Sequence, residues 1–364
     1  MDFSLFTLPT YFQETDGPQG AYLRRLIEFL VYAEELGYDG IWANEHHFAP
    51  YGGLIPSPAV LLSALAQRTT RVRLGTSVVV LPLHQPLEVA EQLAMVDLLS
   101  DGRLELGVGR GFVPFDYERL GVTMEAGQER TRESLEIIER AFRGQPFEYA
   151  GTHYHVNRLE VWPRPERSLD GRVWIACTGS PDSFQWTGSM GYNLLTVSSL
   201  RPMEQLAELV RGYRNAWMAG GRASETFKYA THFQIVVDED RARARETASR
   251  AIVNYFRLHG EALALSPASA NRGPSPVEGF RIEQWIDEGR ILCGTPDDVV
   301  TGLRRAQTEL GITGIDGTYI FGGISFEVAE RSLRLFAEEV IPRMRGAEMP
   351  TPLAHASAPL GARP

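Results

Sequence analysis

The residues best suited to chemistry in this chain are Glu45, His46 and His47, which follow Asn44 at the end of the apolar run Gly40–Ala43. Histidine is the side chain whose pKa lies closest to neutral pH, so it commonly transfers protons in enzymes. In a β/α barrel, catalytic residues lie where the strands end. We therefore predict that this cluster is functional. Because no His-x-x-x-His or paired-cysteine spacing accompanies it, we predict no metal site.

A second candidate site follows the apolar run 104–108, where Gly109 and Gly111 flank Arg110. Glycine leaves the backbone accessible, and a guanidinium group donates paired hydrogen bonds to phosphate. A surface ion pair is the common alternative role for a single arginine. A dinucleotide-binding fingerprint would need a third glycine where Phe112 stands and a helix at once, and we expect no immediate helix. The pattern therefore predicts a phosphate-binding loop outside a Rossmann fold.

A third candidate is the segment 177–183, which joins a predicted strand to a predicted helix and contains Gly179, Ser180 and Ser183. Free N–H groups at a helix N-terminus bind anions, and serine hydroxyls can add to this. An ordinary Ser or Asp helix cap explains the same residues equally well. Two anion-friendly loops on neighbouring strand ends favour one shared phosphate.

These residues must be positioned by alternating strands and helices, since short apolar runs alternate with longer amphipathic ones. About eight strand–helix pairs predict an α/β fold with a single (β/α)8 TIM barrel in residues 1–345, and a doubly wound open sheet is the alternative. The predicted strands are residues 3–8, 40–43, 72–80, 103–108, 173–177, 194–197, 229–237 and 317–321. We also predict a hairpin at 147–160 and a disordered tail at 346–364. The segment 266–279 is either a surface loop or a lid.

Composition limits the function classes. The chain has 364 residues and a formal net charge of −10, which argues against broad binding to nucleic acid or an anionic membrane. Its two cysteines, Cys177 and Cys293, form no disulfide framework, so we expect a cytoplasmic protein. We also expect neither a signal peptide nor a membrane span.

Together, these stretches resemble the bacterial luciferase family of flavin-dependent oxidoreductases. The resemblance runs from residue 1 to about 345, with matching stretches at 41–48, 75–82, 99–104, 107–111, 179–183, 294–297 and 336–342 in the family's order. It implies that reduced FMN (FMNH2) binds at the C-terminal mouth of a (β/α)8 barrel. There it reacts with O2 to form a C4a-(hydro)peroxide that oxygenates a small organic substrate. It also implies a homodimer and a separate flavin reductase.

The resemblance also implies roles for single residues. His46 corresponds to the family's catalytic histidine, with Glu45 beside it. Arg110, Gly179, Ser180 and Ser183 correspond to the flavin-phosphate site. The Ser77–Val78 bond corresponds to a non-proline cis peptide under the isoalloxazine ring. Residues 259–291 fall where luciferase has its mobile lid loop.

The sequence departs from the luciferase alpha chain at Gly109, where that chain has a cysteine against the flavin. We expect the glycine to widen the space there, so light emission is not expected. A deazaflavin-dependent hydride-transfer dehydrogenase on the same barrel, or a non-catalytic flavin-binding protein, remains an alternative. Residues 45–48 together with 109–111 favour the FMN branch. The sequence does not indicate the substrate.

Overall fold

Eight parallel strands form a closed barrel in the computed structural model, which describes residues 1–223, 226–269 and 277–346. Strand β8 pairs with β1 at Asp2 and Gly314, which closes the barrel and rules out the open sheet. The predicted (β/α)8 fold is therefore confirmed. In barrel order, the strands are β1 Asp2–Thr7, β2 Gly40–Ala43, β3 Arg73–Thr76, β4 Leu104–Gly109, β5 Val173–Ala176, β6 Asn193–Val197, β7 Tyr229–Val237 and β8 Gly314–Thr318.

Helices surround the barrel and connect its strands. They are Gln13–Asp16, Gln19–Glu35, Pro58–Ala66, Pro86–Leu99, Pro114–Arg119, Gly127–Phe142, Pro181–Met190, Met203–Ala219, Arg241–Ala264, Ile282–Asp287, Pro296–Leu310, Phe326–Leu335 and Ile341–Arg345, with a π-helical turn at Phe336–Val340. Short 3₁₀ turns lie at Leu81–Leu83, Ser198–Leu200 and Pro267–Ser269. No helix in the described residues is long and apolar enough to cross a membrane.

The barrel interior is filled by a small aromatic cluster. Trp42 and Trp174 meet with ring centroids 5.4 Å apart, and Gly75 leaves the space that the Trp42 ring occupies. Leu195 and Ala230 complete the buried part of this cluster. Phe6, Val78 and Ala176 pack against it and are less buried. The strands bury both faces, as expected when helices cover a parallel sheet.

Two predicted strands differ from the structure, and one helix is unexpected. The predicted strand 72–80 is interrupted after Thr76. Its second part, Val79–Val80, pairs with β4 further along, as the first part also does at Leu74 and Gly75. The last barrel strand is Gly314–Thr318, earlier than the predicted 317–321, because the barrel register selects a Gly- and Asp-containing stretch with low strand propensity. A helix that we did not expect begins at Pro114, three residues after Gly111.

The predicted hairpin is confirmed as two antiparallel strands, Phe147–Ala150 and His155–Leu159. The predicted lid loop 259–291 is wrong as a continuous loop, because the helix Arg241–Ala264 extends into it and the helix Ile282–Asp287 lies within it. The first of these helices continues to Ala264 because its apolar face, which includes Tyr255 and Phe256, packs into a buried cluster. Residues 270–276 of the proposed lid and 347–364 of the predicted tail lie outside the described residues.

Candidate active site

The predicted site residues follow neighbouring strands at the same end of the barrel. Strands β2 and β3 pair up to Ala43 and Thr76, and β4 pairs with β5 at Val108 and Ile175. The cluster after β2 and the loops after β4 and β5 therefore open at the C-terminal mouth, where barrel enzymes bind their ligands.

The buried carboxylate of Glu45 holds two imidazole rings. Its Oε1 atom lies 2.9 Å from His47 Nε2 and 2.7 Å from His84 Nε2, and its Oε2 atom accepts the backbone N–H of Val80 at 3.0 Å. Burial alone would raise the pKa of Glu45, but the hydrogen bonds from the two histidines outweigh burial and lower it to about 2. The pKa of His84 is raised, since hydrogen bonding to Glu45 outweighs the burial that would lower it. Glu45 therefore ties the loop after β2 to the turn before Pro86.

The same three side chains are the described group that could ligate a metal ion, because their donor atoms lie within 4.8 Å of one another. Two imidazoles and one carboxylate suit divalent transition metals. The hydrogen bonds to Glu45 already use these donor atoms, so the arrangement is explained by hydrogen bonding alone. The absence of a metal site remains a prediction.

The imidazole of His46 has aromatic neighbours instead of polar ones. Its ring centroid lies 4.9 Å from that of Tyr51 and 5.9 Å from that of Phe112. Burial and the nearby His259 lower the pKa of His46 to about 4, so the ring is neutral at pH 7. Within the described residues its ring nitrogens form no hydrogen bond. His46 can therefore accept a proton from a ligand at the mouth.

The loop after β2 folds back and positions His46. The backbone N–H of His46 donates to Ile55 O at 3.4 Å, and Asn44 Nδ2 donates to Gly52 O at 3.0 Å. Gly52 has a positive φ of 72°, and a Cβ there would lie 2.8 Å from His46 Cδ2. The Tyr51 hydroxyl lies 2.8 Å from that of Tyr255, which joins this loop to the helix Arg241–Ala264. A glycine is thus required where the loop approaches the imidazole.

Val78 and Gly109 form one wall of the mouth. The Ser77–Val78 peptide bond is cis, as the resemblance implies. A Cβ at Gly109 would lie 2.9 Å from Val78 Cγ2 and 3.7 Å from Ala176 Cβ. The expectation that Gly109 widens the space is therefore wrong, because Val78 occupies it. The glycine permits close packing between the segment 77–78 and β4.

The predicted anion site contains several polar side-chain groups that form no hydrogen bond with the described residues. Arg110 is exposed, and its stem lies over Gly127. Ser180 precedes the helix Pro181–Met190 without capping it through its side chain. In the described part of the chain, neither the Arg110 guanidinium nor the Ser180 and Ser183 hydroxyls form a hydrogen bond. These groups suit a phosphate.

Arg201 adds a second guanidinium beside this loop. It donates from Nη2 to the carbonyl of Thr178, and its buried Nε has no partner among the described residues. A Cβ at Gly179 would lie 2.5 Å from Arg201 Nη2, so a glycine there admits the guanidinium. Burial lowers the pKa of Arg201 below its usual value. The loop 178–180 therefore carries more positive charge than its own sequence indicates.

A cavity of about 360 Å³ lies at the opposite, N-terminal end of the barrel. Its lining includes Arg103 and Arg172, whose guanidinium groups already donate to backbone carbonyls and, for Arg172, to Asp97 at 2.5 Å. These donors hold the ends of β3 to β5 together. We therefore place the functional site at the mouth and not in this cavity.

Comparison with known proteins identifies the family. Residues 1–314 match the family described as luciferase-like monooxygenase. A 4-hydroxyprotoasukamycin monooxygenase from Streptomyces nodosus subsp. asukaensis is 29% identical over 335 residues, which cover 90% of this chain and 88% of the relative. The oxygenase component of a flavin-dependent trigonelline monooxygenase from Acinetobacter baylyi is 28% identical and covers 94% of this chain and 95% of the relative.

The crystal structure of monooxygenase RslO1 from Streptomyces bottropensis superposes with a TM-score of 0.84 at 28% identity, covering 94% of this chain and all of that one. An F420-dependent glucose-6-phosphate dehydrogenase from Kineococcus radiotolerans is 30% identical and covers 88% of this chain and 93% of the relative. The chain belongs to the luciferase-like monooxygenase family. It is an oxidoreductase of that family, and the resemblance read from the sequence is confirmed.

The structure also reveals site residues that the sequence did not indicate. His84 lies two residues beyond the matching stretch 75–82, and only its contact with Glu45 shows that it belongs to the candidate site. Arg201 follows β6 in a segment without a motif. In the sequence, Phe112 stands out only because it replaces the third glycine of a dinucleotide fingerprint, yet it brings the loop after Arg110 against His46. Each of these depends on contacts between distant parts of the chain.

Proposed function

We propose that this protein is an FMNH2-dependent monooxygenase that uses O2 to oxygenate a small organic substrate. The observation that carries the proposal is that the ring of His46 packs against Phe112, which stands two residues after Arg110 in the loop after β4, so that the two lie at one barrel mouth. Reduced FMN would supply the electrons that activate O2. The monooxygenase names of its relatives support the reaction class.

The residues present fit a flavin mononucleotide. Arg110, Ser180 and Ser183 would bind the phosphate through side-chain groups that form no hydrogen bond within the described residues. Arg201 would add its Nε atom, which is unpaired in the same residues. Val78 would contact the flavin ring, because it follows the C-terminal end of β3 and packs, partly buried, against the interior cluster. The aromatic residues around His46 would exclude water, which strengthens polar interactions inside the site.

His46 would accept and return the proton that the oxygenation requires. Its pKa of about 4 keeps the imidazole neutral at working pH. Glu45 would act as a positioning residue, since its carboxylate contacts His47 and His84 and not the ring of His46. The enzyme would act as a homodimer and receive its flavin from a separate reductase. The relative named an oxygenase component supports the reductase.

The test is anaerobic titration with reduced FMN and with reduced deazaflavin F420, followed by mixing with O2. We expect tighter binding of FMN and rapid O2 uptake. Arg110→Ala should weaken FMN binding about 10- to 100-fold and leave riboflavin binding unchanged, because only FMN has the phosphate. Arg119→Ala is the matched control, since Arg119 stacks on Phe115 outside the loop.

The alternative is an F420-dependent dehydrogenase, which the F420-dependent relatives in the family support. Tighter binding of F420 and hydride transfer without O2 uptake would establish this alternative. Flavin binding without any turnover in the presence of a reductase would instead favour a non-catalytic flavin-binding protein. Equal loss of FMN and riboflavin binding in Arg110→Ala would exclude the phosphate contact.

A further inference from the structure

Strand β7 carries two polar side chains on the face that lines the barrel interior, His232 and Gln234. Alternate residues of a strand share a face, and Ala230, two residues before His232, belongs to the interior cluster. The His232 ring centroid lies 4.6 Å from that of Phe6. His232 is 6% exposed and Gln234 is fully buried.

Both residues lie at the level of the mouth. His232 pairs with Val197, the last residue of β6, and Gln234 pairs with Thr318, the last residue of β8. Phe6, which contacts His232, packs against the same cluster as Val78. The two polar side chains therefore face the barrel interior near its C-terminal mouth.

The hydrogen bonds of His232 define its remaining capacity. Its Nδ1 atom lies 3.0 Å from the carbonyl oxygen of Asp316, and a carbonyl can only accept, so Nδ1 carries the hydrogen. Burial lowers the pKa of His232 to about 4, which keeps the ring neutral at pH 7. The Nε2 atom is therefore an acceptor. It has no partner among the described residues.

Gln234 adds a donor and an acceptor on the same strand face as His232. Neither its Nε2 nor its Oε1 atom has a hydrogen-bond partner in the described part of the chain. Buried polar atoms in native proteins are nearly always paired, and three unpaired atoms on one strand face indicate a missing polar partner. A hydroxyl group fits two of them, because it can donate to His232 Nε2 and accept from Gln234 Nε2. Gln234 Oε1 is then available to a second donor.

We propose that His232 and Gln234 form a subsite that binds a hydroxyl group of the organic substrate, so that the enzyme accepts alcohols or phenols in preference to hydrocarbons. This proposal rests on the proposed function, which supplies the substrate. The apolar neighbours Phe6 and Ala230 would contact the carbon skeleton. His232 and Gln234 would act as specificity residues that orient the substrate toward the flavin.

The experiment uses the FMN-loaded protein and two probes of nearly equal shape, phenol and fluorobenzene, of which only phenol has a hydroxyl. Dissociation constants are measured by ligand-observed NMR. We expect phenol to bind about tenfold more tightly than fluorobenzene. Gln234→Leu and His232→Phe should each remove this preference, because both are apolar replacements of similar size. Gln284→Leu and His155→Phe are matched controls on exposed segments.

Equal binding of the two probes by the native protein, or an unchanged preference in both folded variants, would overturn the subsite. If the variants do not fold, a crystal structure of the native protein with phenol decides. A phenol oxygen between His232 and Gln234 would support the proposal. Phenol bound elsewhere, or an ordered water molecule that stays between the two side chains, would reject it. A separate FMN titration distinguishes failure of the proposed function. The two probe titrations are therefore repeated without FMN. A preference for phenol in a protein that binds no FMN would support the subsite and contradict the proposed function.

Discussion

Glu45 and His46 are adjacent in the chain, yet their side chains have opposite surroundings. Both carboxylate oxygens of Glu45 accept hydrogen bonds from protein groups, on Val80, His47 and His84. The His46 ring contacts aromatic rings and, within the described residues, forms no hydrogen bond. A side chain whose polar atoms are all paired stabilises the protein, whereas one with unpaired polar atoms is available to a ligand. The difference separates a positioning residue from a proposed catalytic one.

The largest effect that we expect is on turnover in His46→Ala. Loss of a positioned proton acceptor should lower product formation about 10³-fold, with FMN affinity unchanged and more H2O2 released. Coupled assays of O2 uptake, product and peroxide measure this. His155→Ala on the exposed hairpin is the control. Unchanged product formation would show that His46 has no catalytic role, and His46 and Glu45 would then not differ in function.

Glu45→Gln should mainly lower stability, by about 3 kcal/mol, because it breaks a buried charged network. The pKa of Glu45 is lowered to about 2, so its contribution is present above about pH 4.3 and is lost as the pH falls toward 2. The pKa of His84 is raised, so its contribution is present below about pH 6.5 and is lost as the pH rises through the raised value. The difference in free energy of unfolding from the native protein should therefore be largest between about pH 4.5 and 6.5.

Urea unfolding at pH 5.5, 7 and 8.5 measures this difference. The matched control is Glu129→Gln, because Glu129 also pairs with a histidine, His153, but its side chain is 70% exposed. We expect the control to cost less than about 0.5 kcal/mol. Equal destabilisation by the two substitutions would show that the buried network around Glu45 stabilises the protein no more than the exposed pair of Glu129 and His153.

Arg201→Gln tests whether the unpaired Nε atom of Arg201 binds the phosphate of FMN. We expect FMN to bind about tenfold more weakly and riboflavin to bind as before, since the loss is confined to the phosphate. Calorimetry with both ligands measures the ratio, and the exposed Arg211→Gln is the control. A loss shared equally by both ligands would assign Arg201 to holding the carbonyl of Thr178 only.

The smallest expected effect concerns the wall of the mouth. Gly109→Ala should destabilise the protein by about 1 kcal/mol, because the added Cβ would lie 2.9 Å from Val78 Cγ2. Val78→Ala should relieve this contact, so the double variant should be more stable than the sum of the single changes predicts. Thermal unfolding of all four proteins completes the cycle. Strict additivity would show that the two side chains do not compete for space.

The sequence indicates the ends of β2, β4 and β5 well because a chemical motif follows an apolar run at each of these three. Residues 45–48, 110 and 179–183 could be assigned to one mouth for this reason. The last barrel strand was misplaced, because Gly314 and Gly317 weaken its local signal and only pairing with its neighbours on both sides selects it. His84, Arg201 and Gln234 have no local pattern, since their roles depend on atoms brought close by closure of the barrel.

The hydroxyl contact between Tyr51 and Tyr255 has a consequence for the evolution of this enzyme. Through this contact, the helix Arg241–Ala264 helps to fix the position of the loop that carries His46. Substitutions along that helix, well away from the strand ends, should therefore alter the reactivity of the imidazole through the two phenol groups. A search for variants with new substrate range would recover changes there as well as at the mouth.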